Sequence, residues 1–114
     1  MSKAVELYRQ LVDELAERSA NYPPAEWTQN GEVFGTVEQK TKRQAVLSKL
    51  TAEEREVLAE YLTETYTDGV YDTITNLEWY FSVKGVKMTV DGEEMSIKNM
   101  GDDFIGRRDG DEWY

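Results

Sequence analysis

The 114-residue sequence contains no histidine and no cysteine. Those two side chains carry most of the proton transfer, nucleophilic attack and transition-metal ligation that proteins perform near neutral pH. Their absence excludes imidazole and thiolate chemistry, disulfides and soft-metal sites. Proline is scarce, with two residues that stand side by side as Pro23-Pro24, so long elements can form without interruption. Positive charge is in deficit: 13 Lys+Arg against 23 Asp+Glu leave a formal net charge of −10. A field of that sign repels nucleic-acid phosphates and anionic membrane surfaces and attracts basic macromolecules. No apolar run approaches the length needed to span a bilayer. The opening Met1-Ser2-Lys3-Ala4-Val5-Glu6 lacks the apolar stretch of a secretory signal, so a cytoplasmic location is expected.

Aromatic side chains, by contrast, are plentiful, with three Trp, seven Tyr and three Phe. They supply buried area that a chain of this size needs for a core. One domain over residues 1–114 is the expectation.

Residues 2–20 read as a first helix, with Ser2 as N-cap and Val5, Leu11, Val12, Leu15 and Ala16 as its apolar stripe; Tyr8 lies at the edge and Leu7 off it. Pro23-Pro24 ends this element. Residues 21–35 are expected to form an ordered loop in which Trp27 and Phe34 fold back on the core. Residues 36–50 read as a second helix, and Lys40, Lys42, Arg43 and Lys49 against the single acid Glu38 make it the one basic stretch. A third helix opens at Thr51-Ala52-Glu53-Glu54, a capping-box pattern. Val57, Leu58, Tyr61, Leu62 and Thr65 are read as its buried face and Gly69 as its left-handed terminator. A fourth helix follows from Val70, with Val70, Ile74, Leu77 and Phe81 at helical spacing. Beyond Gly85, alternating residues around Asp91-Gly92 predict a hairpin, because a type I′ turn needs positive φ at both central positions. The hairpin is expected to lay Val86, Met88, Val90, Met95 and Ile97 on the helices, since two strands are not stable alone. A short turn of helix is expected around Phe104-Ile105.

Few motifs carry chemistry. Asp102 and Asp103 are adjacent and point in different directions, unlike a working acid/base pair. Asp109, Asp111 and Glu112 have the spacing of a fragment of an oxygen-ligand loop, without the full calcium loop around it. There is no phosphate-cradling glycine motif. The Lys40–Arg43 stretch can touch an anion; in so acidic a chain it is read as pairing with the third helix or facing solvent. Arg107-Arg108 with Trp113-Tyr114 combine the residue types enriched at binding hot spots. The plainer reading of that cluster is an internal clamp that docks the C-terminal segment.

Two stretches carry a resemblance. Leu50-Thr51-Ala52-Glu53-Glu54-Arg55-Glu56-Val57-Leu58, running on to Asp68-Gly69-Val70-Tyr71-Asp72-Thr73, resembles the central region of a family of small bacterial proteins described as a domain of unknown function. Asp91-Gly92-Glu93-Glu94-Met95, then Asp103-Phe104-Ile105-Gly106-Arg107-Arg108 and Gly110-Asp111-Glu112-Trp113, is similar to that family's C-terminal end. The resemblance covers residues 50–114. It implies one compact domain of bacterial or phage origin and brings no activity with it.

The fold class expected is α+β, with three to four packed helices plus a C-terminal β-hairpin. No catalytic residue, cofactor or metal site is assigned. The function expected is a non-enzymatic protein-binding module that covers a basic partner surface by charge complementarity, as immunity proteins and phage inhibitors do, with no nucleic acid and no membrane as partner. Glu53, Glu56, Glu60 and Glu64 fall at i, i+3, i+7 and i+11 and supply the steering charge. Like charges at such spacing cost helix stability, and a basic partner relieves that cost. Trp79 or Tyr80 supplies an anchor. Two other readings stand beside this one: a small-ligand or substrate pocket lined by Asp103, Arg107 and Trp113, and a homodimer. A concave pocket with converging polar groups favours the ligand, an exposed apolar patch rimmed by acids favours a protein partner, and a self-complementary patch favours the dimer.

Overall fold

The computed structural model describes all 114 residues. Its first helix, α1, spans Lys3–Ala20. Ser2 opens it: its hydroxyl accepts from the Val5 N–H at 3.3 Å and its carbonyl from the Glu6 N–H at 3.0 Å, satisfying donors that have no partner inside the helix. Helix α2 (Pro23–Gln29) follows, with both prolines in its first turn. This corrects the expected loop at 21–35. A proline has no N–H to lose at that position and its φ is already helical, so the pair that closes off α1 also starts α2. Helix α3 covers Val37–Leu47 and begins with a reciprocal cap between Thr36 and Gln39. Helix α4 covers Ala52–Ser82. Strands β1 (Thr89–Val90) and β2 (Glu93–Glu94) pair antiparallel, Thr89 opposite Glu94, and α5 (Met100–Arg108) follows. The class is α+β, as expected: four helices, a two-stranded hairpin, then a final helix.

The chain forms two compact units. One comprises Met1–Ala20 and Asp68–Tyr114, the other Asn21–Thr67. The first holds a core of Ala4, Val12, Ala16, Ile74, Met95, Ile97, Met100 and Phe104. Helix α1 faces it with Ala4, Tyr8, Val12, Ala16 and Ser19, while Val5 and Leu11 are exposed. Of the expected stripe, Val12 and Ala16 are buried and Leu15 packs against the core; Ala4 and Ser19, small residues outside it, are buried in place of Val5 and Leu11. Ser19 can be buried because its hydroxyl donates to the Ala16 carbonyl at 2.9 Å. The hairpin turns as expected at Asp91-Gly92, with φ of 50° and 80°. Met95 and Ile97 are buried beyond it and Val90 is half-buried, but Val86 and Met88 are exposed. In α5, Asp102 and Asp103 stand in the first turn and Arg107 and Arg108 in the last, each sign at the end of the helix dipole that favours it.

In the second unit, Ala25, Thr28, Leu47, Ala59 and Thr67 are buried. Tyr22 stacks on Tyr66 at 4.2 Å, and Trp27 meets Phe34 at 5.9 Å. Those last two were expected on the core; they pack on each other, and Trp27 remains partly exposed. The Thr51–Glu54 capping box is present, the Thr51 hydroxyl accepting from the Glu54 N–H at 3.1 Å and the Glu54 carboxylate from the Thr51 N–H at 2.9 Å.

Gly69 does not end a helix. Its φ is not among the positive ones, and α4 runs through it. A glycine interior to a helix costs only about 1 kcal/mol, less than the burial of Ile74 beyond it returns. The space around a Cβ at Gly69 is empty within 4 Å. Gly69→Ala is therefore expected to stabilise the protein by about 0.5–1 kcal/mol, read as a higher denaturant midpoint. A left-handed cap at this position would give the opposite sign.

Candidate functional site

The glutamates expected to steer a partner, Glu53, Glu56, Glu60 and Glu64, all lie on α4 within the 21–67 unit, and all are exposed. Their neighbours were misread. Val57 and Tyr61, expected to be buried, are 65 % and 66 % exposed. Helix α4 instead turns Ala59 and Thr67 inward, with Thr63 half-buried between them. Threonine serves as an inward residue here because its hydroxyl is satisfied locally. Thr63 donates to the Ala59 carbonyl at 3.1 Å, and Thr67 donates to the Thr63 carbonyl at 3.0 Å. With the helix so oriented, a period of 3.6 residues puts Glu53, Val57, Glu60, Tyr61 and Glu64 on one outward face, with Glu56 at its margin. Leu50 and Leu58 join Val57 and Tyr61 in a shallow hollow that Glu53 and Glu54 border. Sequence reasoning missed Val57 and Tyr61 as surface residues. The signal available was the run of alanine and threonine at 59, 63 and 67, a second stripe at helical spacing.

The expected anchors, Trp79 and Tyr80, are each 45 % exposed. They meet edge to face at 5.2 Å, and the Lys84 ammonium lies 4.9 Å from the centre of the Trp79 ring. They belong to the other unit.

Asp103, Arg107 and Trp113 are brought together, in a recess of about 180 Å³ beside α5. Their polar atoms are engaged by α1 and by the C-terminal segment. Tyr8 donates its phenol to the Asp103 carboxylate, which also accepts from the Tyr114 hydroxyl at 3.4 Å. The Arg107 Nε donates to Asp13 at 2.6 Å, and the Trp113 indole N–H donates to the other Asp13 oxygen at 3.2 Å. Arg107 also donates to the Asp111 carbonyl at 2.8 Å. Arg9 and Arg107 both stand over the Trp113 ring, 5.2 and 5.3 Å from its centre. Arg9 donates to the Tyr114 carbonyl at 2.9 Å as well. This is a clamp that fastens the C-terminal segment to α1. Asp102, Asp109 and Asp111 border a separate open hollow with Asp68 and Tyr71. Asp109, Asp111 and Glu112 do not assemble into a group with metal-holding geometry.

Within the clamp, burial pushes the Tyr8 phenol well above its ordinary value of 10.0; its hydrogen bond to Asp103 and the negative charges of Asp103, Tyr114 and Glu78 act the same way. The raised value favours the protonated phenol in the folded state. Below pH 10 both folded and unfolded chains keep the proton, and the contribution to stability is fully present. Above pH 10 the unfolded chain loses the proton first, so stability declines as pH rises. Denaturant midpoints measured from pH 8 upward are expected to fall more steeply for the wild type than for Tyr8→Phe, which cannot ionise there.

A family model described as "Family of unknown function (DUF6547)" matches residues 1–114, the whole chain and not only its last two-thirds. No curated protein and no solved structure matches it. No helix is long and apolar enough to cross a membrane.

Proposed function

The chain belongs to the DUF6547 family, which assigns no activity, and from the chain's own geometry we propose that it is a non-enzymatic protein-binding module that covers a basic partner surface, acting in the cytoplasm. One observation carries this reading: Val57 and Tyr61 stand exposed on the same helix face as Glu53, Glu60 and Glu64. A large aromatic with an aliphatic neighbour supplies desolvation energy, and a charged rim supplies orientation and rate. Apolar side chains concentrated on one face and rimmed by charge mark contact sites for other proteins. The partner that fits has Lys or Arg residues around a shallow apolar socket for the Tyr61 ring. The ligand-pocket reading draws less support, because the polar atoms of Asp103, Arg107 and Trp113 are already engaged within the chain.

The test is retention of partners from the native source at low and high salt, with wild type and a Val57→Ser/Tyr61→Ser double variant side by side. A basic protein held by the wild type at low salt, released at high salt and not held by the variant is expected. No retained protein at low salt, or equal retention by the variant, overturns the reading.

A further inference from the structure

The second unit contains an apolar groove that opens beside the proposed contact face and shares only Leu58 with its hollow. Its volume is about 360 Å³, within the range of small-molecule sites. Val33, Phe34, Val46, Leu47, Leu58 and Leu62 form most of its wall. The one hydroxyl among the lining residues, on Thr28, donates to the Pro24 carbonyl at 2.8 Å. The wall therefore has no free hydroxyl to recognise a polar ligand body, and its side chains suit a hydrocarbon one.

The lip is different. Lys42 and Arg43, from the only basic element of an acidic chain, border the groove together with Glu32. Arg43 is held in place: one N–H donates to the Phe34 carbonyl, and the guanidinium lies 5.1 Å from the centre of the Phe34 ring. Gly35 makes room for this arrangement. Its φ is +118°, and a Cβ there would come within 2.5 Å of the Arg43 terminal nitrogen. A guanidinium has five N–H donors in a planar fork, so the bond to Phe34 leaves several for a ligand. Lys42 is restrained only by an exposed pair with Glu38 at 3.6 Å, a contact worth little in water. A planar monoanion suits this lip, since the fork matches a carboxylate and Glu32 opposes a second negative charge.

We propose that this groove binds a free, linear amphipathic carboxylate, with the tail along the apolar wall and the head at Arg43 and Lys42. The charge complementarity of the lip, in a chain whose overall field repels anions, is what selects this ligand class. The groove shares Leu58 with the hollow of the partner face, but neither Val57 nor Tyr61 lines it.

Calorimetric titration with hexanoate, octanoate, decanoate and the neutral octanol tests it on the full chain. Each added methylene should tighten binding about fourfold until the groove is full. Octanoate should bind more tightly than octanol. Arg43→Gln and Lys42→Gln should each weaken octanoate about threefold to tenfold and leave octanol unchanged, which also shows that the groove survives the substitution. Absence of saturable binding overturns the proposal. So does equal affinity for octanoate and octanol, a tail-length series with no trend, or binding seen only to anionic vesicles. The Val57→Ser/Tyr61→Ser variant should bind octanoate as the wild type does, so failure of this site and failure of the partner face are read separately.

Discussion

Phe104→Ala should cost about 3–5 kcal/mol of stability, out of a total of about 5–15 kcal/mol expected for a domain. Phe104 is 0 % exposed and shares its core with Val12, Ile74, Met95, Ile97 and Met100. Those neighbours come from α1, α4, the segment after the hairpin and α5 itself, so the ring joins elements distant in sequence. Removing it opens a cavity that none of them fills alone. Denaturant unfolding should show the loss directly. Hydrogen exchange should accelerate by more than about a hundredfold at the Val12 and Ile74 amides, if these report unfolding of that core. Phe104→Leu should cost far less, because the site stays apolar and mostly filled. Truncation of the exposed Val37 should stay within about 0.5 kcal/mol. A small effect at Phe104 would mean that the core is organised around another residue.

The elements that could be read from the sequence were those with local causes. Ser2, the Thr51–Glu54 box and Asp91-Gly92 each act through hydrogen bonds or dihedral preferences within four residues, and each is found where its pattern predicts. The Thr36–Gln39 cap has the same form and the same local cause. What could not be read was the direction each helix faces. Apolar residues on α4 point both ways, and tertiary packing decides which set is buried. It chose Ala59, Thr63 and Thr67, whose small size permits close approach, over Val57 and Tyr61. Gly69 shows the same priority, with a local stop signal overridden by burial on either side of it. Asp103, Arg107 and Trp113 were legible as a cluster because Arg and Trp in a terminal segment need partners. That the partners are Tyr8 and Asp13, both on α1, depends on the fold.

The contact face on α4 makes the second large prediction, because stability and binding should move in opposite directions there. Glu53, Glu56, Glu60 and Glu64 sit close enough on one helix to repel, and each close like-charge pair costs a few tenths of a kcal/mol. Replacing Glu56, Glu60 and Glu64 by glutamine, with Glu53 kept because it stands in the first turn where the helix dipole favours a negative charge, should therefore raise the unfolding midpoint slightly. The same substitution removes three negative charges from the field that draws in a basic partner. Its association rate at low salt should fall about tenfold or more, while at high salt the two proteins should associate at similar rates. Tyr61→Ser should act differently, leaving association nearly unchanged and speeding dissociation by about thirtyfold, as loss of a central aromatic contact does. Once a partner is isolated, surface plasmon resonance at two salt concentrations separates these outcomes. If the glutamine variant were more stable and associated as fast as the wild type, the carboxylates would be an ordinary solvated face. If it were less stable, they would be holding the helix through contacts within the chain. Only a gain in stability together with a salt-dependent loss of rate fits a row of charges kept, against the helix's own interest, for another molecule.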